Sequence, residues 1–200
     1  HMVVGVPGVS LNDDRRFAAS LLAIILGGGM SSRLFLSVRE RHGLAYAVHT
    51  AMQAYVDTGS FATQLGVRSE KADQALELVL AEYARVREEL VRTSELNKAL
   101  EMIKGRLLIE LEETNALAQF AGLKSLQQKK VETPEELMKK YQAVSREEIR
   151  QLAQELLGMD KQAVAVLGPR QSVRRVKAAV EKSVQLLGSS KMRKNKTNRV

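Results

Sequence analysis

The chain has 200 residues with 44% apolar side chains, enough to bury one sizeable core, and with 4% aromatics and no tryptophan that core must be aliphatic. It contains no cysteine, which excludes disulfides, thiol catalysis and thiolate-bound metals. The net charge of +8 is confined to one end: residues 170–200 carry ten Lys/Arg against Glu181 alone, leaving 21 basic and 22 acidic side chains in the body. That end has no aromatic side chains to stack on bases, which disfavours nucleic acid as a partner. No apolar run approaches the ~20 residues needed to span a bilayer.

In chain order, residues 2–6 read as a short strand stopped by Pro7-Gly8. Asn12, Asp13 and Asp14 suit a helix start, and Phe17, Leu21, Ile24 and Ile25 follow on one helical face. Gly27, Gly28 and Gly29 end that helix. A second helix is expected over Ser31–His42, with Leu34, Phe35 and Val38 as its apolar stripe and Gly43 as a left-handed stop. The period then becomes two, placing Leu44, Tyr46, Val48, Thr50 and Met52 on one face of a strand and Ala45, Ala47, His49 and Ala51 on the other. Asp57-Thr58-Gly59 turns the chain back through Phe61, Thr63, Leu65 and Val67, giving a β-hairpin.

Helical periodicity governs the next hundred residues, with starts at Ser69, Thr93, Ala116, Thr133 and Ser145. Thr133-Pro134-Glu135-Glu136 and Ser145-Arg146-Glu147-Glu148 carry the capping-box pattern. Ala163–Leu167 is a last apolar strand before Gly168-Pro169, and Val173–Leu187 is compatible with a short helix. The order β-α-α-β-β-α-α-α-α-α-β predicts an α+β domain over 1–169, an antiparallel sheet with several helices layered on one face. Residues 170–200 are expected to form a basic, disordered or partly helical tail.

The only histidines are His1, His42 and His49, none of them one helical turn apart, so a self-sufficient zinc site is not expected. His42 and His49 read as surface or sheet residues. Gly27-Gly28-Gly29 lacks the Gly-Lys-Ser/Thr ending of a phosphate loop. Two readings of it stay open: a bend needing φ > 0, or a close approach of backbone to a polypeptide ligand. Arg39 and Tyr46, seven residues apart across the helix stop, could present a guanidinium and a phenol at one edge, donors for a peptide carbonyl or a developing oxyanion. The competing reading is an Arg39 ion pair with a nearby acid beside a half-buried Tyr46.

The stretch Ile25-Leu26-Gly27-Gly28-Gly29-Met30-Ser31-Ser32-Arg33-Leu34-Phe35, with Val38-Arg39-Glu40 and Gly43-Leu44-Ala45-Tyr46 after it, resembles the C-terminal domain of pitrilysin/insulinase-family zinc metallopeptidases of the bacterial processing-peptidase type. The similarity continues through Asp57–Phe61, Lys104-Gly105, Glu112–Thr114, Thr133–Glu136 and Val166–Pro169. It implies half of a two-domain clamshell, with zinc held by an inverted His-x-x-Glu-His motif in the other half. On that resemblance Tyr46 stabilises the tetrahedral intermediate, Arg39 holds a substrate carbonyl, and Gly27, Gly28 and Gly29 line the chamber wall.

The zinc motif is absent from this sequence, so the chain alone is expected to be inactive and to contain no cofactor. Its implied partners are a polypeptide substrate and a complementary zinc-binding domain or subunit, with a dimer compatible with either. The alternative reading is a non-catalytic structural or peptide-presenting subunit of the same family. A bacterial cytoplasmic location is expected, with the mitochondrial matrix as the alternative.

Overall fold

The structure, a computed structural model, describes residues 1–128 and 131–197. Four antiparallel strands, β1 (Met2–Pro7), β2 (Ala45–Ala54), β3 (Gly59–Val67) and β4 (Ala163–Val166), lie in the order β2-β3-β1-β4. β1 pairs on one side with β3, Met2 opposite Leu65, and on the other with β4, Met2 opposite Val166. The hairpin expected between β2 and β3 is present, with Thr50 opposite Thr63. Alternation decides which face is covered. Met2, Val4, Val6, Phe61, Thr63 and Leu65 point into the core, whereas His49, Gln64, Ala163 and Ala165 stay exposed.

Helix α1 (Arg16–Gly27) packs against β2 and β3 on one side and against α3 (Thr93–Glu110), α5 (Pro134–Gln142) and α6 (Arg146–Leu156) on the other. It is apolar almost all round, with Phe17, Ala18, Ala19, Leu21, Leu22, Ala23, Ile25, Leu26 and Gly27 buried, because it lies in the middle of the helical layer rather than on its surface. The start is later than Asn12–Asp14 suggests. Asp13 accepts from the Arg15 N–H at 2.9 Å, and the helix proper opens at Arg16.

Helix α2 (Ala72–Glu88) follows a single 3₁₀ turn at Ser69–Lys71 and buries Ala72, Leu76, Val79, Tyr83 and Val86. A chain of hydroxyls links it to the sheet inside the core: Thr63 Oγ1 is 2.7 Å from both Thr50 Oγ1 and Tyr83 Oη. Both capping boxes are formed, Thr133 with Glu136 at α5 and Ser145 with Glu148 at α6. Helix α4 (Thr114–Gln128) spans the region where a third helix is expected, and over residues 114–127 no side chain is fully buried.

After β4, helix α7 runs over Arg170–Thr197 and packs against α2, with Val176 and Ala179 in the core. The part of the expected basic tail beyond Thr197 lies outside the described residues. The layered α+β architecture predicted from the element order is therefore the one observed.

Candidate active site

The segment from Ser31 to Tyr46 departs from a plain helix–stop–strand. After a short helical turn at Arg33-Leu34, the backbone is wound as a π-helix over Phe35–Arg41, where an α-helix over Ser31–His42 was expected. The i, i+4 pattern of Leu34 and Val38 is the same in both windings, which is why it announced only a helix; both side chains are fully buried. His42 Nδ1 donates to the Ser37 carbonyl at 2.7 Å, so this histidine serves the wider winding of the backbone. Gly43 then stops the helix at φ 57, as its position predicts, and Arg68 donates to its carbonyl at 2.7 Å.

The start of this segment is tied down by a two-pronged ion pair. Arg33 Nε and Nη2 donate to Glu95 Oε1 and Oε2 at 2.7 and 2.8 Å, and Glu95 Oε2 also accepts from the Arg92 N–H at the start of α3 at 2.8 Å. Burial pushes the Glu95 carboxyl up, but Arg33 and the Arg92 N–H outweigh it and hold the group below its ordinary value. The π-helix is thus anchored to α3 at one end and to the sheet at the other.

Arg39 stands near the end of the π-helix with its side chain 45% exposed, and its guanidinium carbon lies 4.7 Å from the centre of the Phe35 ring, one turn earlier. Glu40 Oε1 is 3.9 Å from Arg39 Nε, an exposed pair too long and too wet to hold the guanidinium. The guanidinium thus rests over the Phe35 ring with nearly half of the side chain open to solvent.

Tyr46 is on the other face of the strand from the one its spacing suggests. The β2–β3 register slips between Ala45 and Ala47, so Tyr46 is an extra, unpaired residue in a β-bulge. Inserting it reverses the parity. Ala45 and Leu44 are buried, Tyr46 is 61% exposed on the open side with Ala47 and His49, and Val48 and Thr50 turn back toward the core. Its ring lies across Gly66 of β3, and its Oη is 3.3 Å from His1 Nε2.

Arg39 and Tyr46 line one open groove of about 540 Å³, together with Phe35, His49, Gln64 and the His1 ring. From the sequence Phe35 reads as part of an apolar stripe and as the end of the family-like stretch, and Gln64 and Gly66 have no role. The Phe35–Arg39 spacing of four was the available signal. Gly27, Gly28 and Gly29 do not line this groove. Among the described residues Gly43 is the glycine with positive φ, so the bend at the triple glycine needs no left-handed residue.

What the three glycines allow is close packing. A Cβ on Gly27 would sit 2.6 Å from the Thr50 N, one on Gly28 2.6 Å from the Ile24 Cα, and one on Gly29 2.7 Å from the Met102 terminal methyl. Gly28 instead borders a second cavity of about 300 Å³ beside β2, whose wall includes His49, Arg106 and Glu110, and Arg106 donates to its carbonyl at 3.2 Å. Among the described residues no group of three or more His, Asp or Glu could hold a metal ion, so the residues present do not fit a zinc site.

A family model described as the peptidase M16 inactive domain matches residues 1–103. An uncharacterised zinc protease of Streptomyces coelicolor is 32% identical over 169 residues, 84% of this chain and 37% of that protein. One of Bacillus subtilis is likewise 32% identical over 169 residues, covering 84% and 41%. A crystal structure of a peptidase M16 inactive domain from Pseudomonas fluorescens superimposes with a TM-score of 0.73 at 25% identity, covering 82% of this chain and 39% of that one. A protease from Helicobacter pylori shares the fold with a TM-score of 0.76 at 18% identity, covering 84% and 40%. The chain spans about 40% of the length of the curated relatives it matches.

Proposed function

The chain belongs to the family of the peptidase M16 inactive domain, and from that membership we propose that it is the substrate-binding half of a zinc metalloendopeptidase. The complementary half, in the same polypeptide or a partner subunit, would carry the zinc and with it the means to polarise a scissile carbonyl and activate water. The observation that carries this reading is the shared groove of Arg39 and Tyr46, two exposed donors held on fixed backbone. The share of the zinc-protease relatives that the chain spans agrees with a missing half.

In this role Arg39, stacked on Phe35, donates to a carbonyl of an extended polypeptide and holds the chain in register. Tyr46 presents its phenol O–H to the carbonyl that gains negative charge, a contact that strengthens as the tetrahedral species forms. The small open-face residue Ala47 leaves the peptide room to approach the sheet. Gly27 would act one layer further back, letting α1 close on Thr50 of β2, while Gly28 and Gly29 would let the chain turn tightly beside Ile24 and Met102.

The test is turnover of a peptide substrate by the longer, zinc-bearing protein. Tyr46→Phe is expected to lower kcat by roughly 10²–10³-fold with the fold intact. Arg39→Ala is expected to act mainly through KM. Full activity in both variants would overturn this reading in favour of a structural or peptide-presenting subunit.

A further inference from the structure

Glycine within a strand weakens it, because it brings no side chain to pack and has more freedom to lose, so a mid-strand glycine invites a search for a close approach. Gly66 is such a residue. It lies on the open face with Ala62 and Gln64, opposite Ala47, yet it is buried where Gln64 is exposed. What covers it is the ring of Tyr46. A Cβ built at position 66 would lie 2.6 Å from both the Cε2 and the phenol oxygen of that ring, closer than any ordinary carbon contact.

The β-bulge explains why this occurs at one place on the sheet. Being the extra residue of the bulge, Tyr46 has no partner opposite it on β3 and leans across the neighbouring Ala47–Gly66 pair. With glycine there, the ring can lie down on bare backbone, and its hydroxyl reaches the groove beside His1 Nε2. With any side chain there, the ring must lift. The atoms in conflict are the far end of an exposed side chain, so the ring yields and the strand does not.

We infer that Gly66 is a positioning residue for Tyr46, the floor on which the phenol is held in the groove. The catalytic consequence rests on the reading of Tyr46 as a donor to substrate; the floor itself does not. The chain has four tyrosines, at 46, 55, 83 and 141. Uniform 3-fluorotyrosine labelling therefore gives four ¹⁹F resonances, with Tyr46 assigned by its loss in Tyr46→Phe. Gly66→Ala is expected to shift the Tyr46 resonance and leave the other three in place. A stationary Tyr46 signal, or movement of all four, overturns the inference.

In the longer zinc-bearing protein Gly66→Ala is expected to lower kcat on the order of 10- to 10²-fold with KM nearly unchanged, and to cost nothing further on top of Tyr46→Phe. Losses that multiply in the double variant would mean that the glycine acts elsewhere and would overturn the inference. A shifted resonance with normal turnover in both single variants leaves the floor in place and overturns the role of Tyr46 instead.

Discussion

At the residue scale, the hydroxyl chain Thr50–Thr63–Tyr83 is the polar feature on which the aliphatic core most depends. Thr63 is the middle member and serves two buried partners, so Thr63→Val leaves the Thr50 and Tyr83 hydroxyls without their shared neighbour. The loss is expected to be about 1–3 kcal/mol for each group stranded, read from urea unfolding at neutral pH. Burial pushes the Tyr83 phenol up to about 12, against a smaller opposing pull from the Thr63 bond. A raised value means the neutral phenol is favoured in the folded state. Its contribution is complete below the ordinary value of 10.0 and is lost as pH rises toward 12. Absorbance titration should show tyrosine ionisation, that of Tyr83 included, which appears only as the protein unfolds. At this scale Gly43 was legible, because a helix stop followed by a strand demands a left-handed residue. The direction of Tyr46 was not, because Leu44, Tyr46 and Val48 alternate as a regular strand would and nothing local marks an inserted residue.

At the element scale, the connection into α5 is fixed by one buried carboxylate. Glu132 pairs with Lys140, lies 3.7 Å from Lys124 Nζ of α4 and is 3.9 Å from Arg16 Nη2 of α1. The Lys140 hydrogen bond, with the charges of Lys140, Lys124 and Arg16 and against burial, holds this carboxyl below the ordinary value of 4.5. A lowered value means that the contribution is present above pH 4.5 and disappears as pH falls through the folded value. Glu132→Gln is expected to cost roughly 1.5–3 kcal/mol at pH 7, since three cations then face a neutral amide. That deficit, measured by urea unfolding across pH, should shrink below pH 4.5 as the unmodified chain loses the same interaction; a deficit independent of pH would refute the assignment. Elements announced by backbone chemistry were the readable ones. Thr133 and Ser145 mark their helices because unsatisfied N–H groups at a helix start need an oxygen. The π-helix carried no such mark, since Leu34 and Val38 fit either winding, and one helical face was an incomplete description of α1 because a central helix is covered on all sides.

At the scale of the whole molecule, the element order and the resemblance carried by Gly27 to Tyr46 were enough to reach the α+β architecture and the family. They could not reach the strand order, because that depends on where the last strand docks, and the four residues of β4 leave little pattern to read. Its docking place has a consequence for how the protein is made. β1 is synthesised long before its second neighbour, with Met2 meeting Val166 far along the chain. Contacts so distant along the chain form late, because the loop-closure entropy must be met before they return anything. Until then one flank of β1 offers unpaired N–H and C=O groups to any other nascent strand. A chain with Ala163–Val166 replaced by a Gly-Ser linker and α7 retained should therefore remain in that vulnerable state and self-associate on light scattering, whereas a soluble monomer would show that β1 is safely covered without β4.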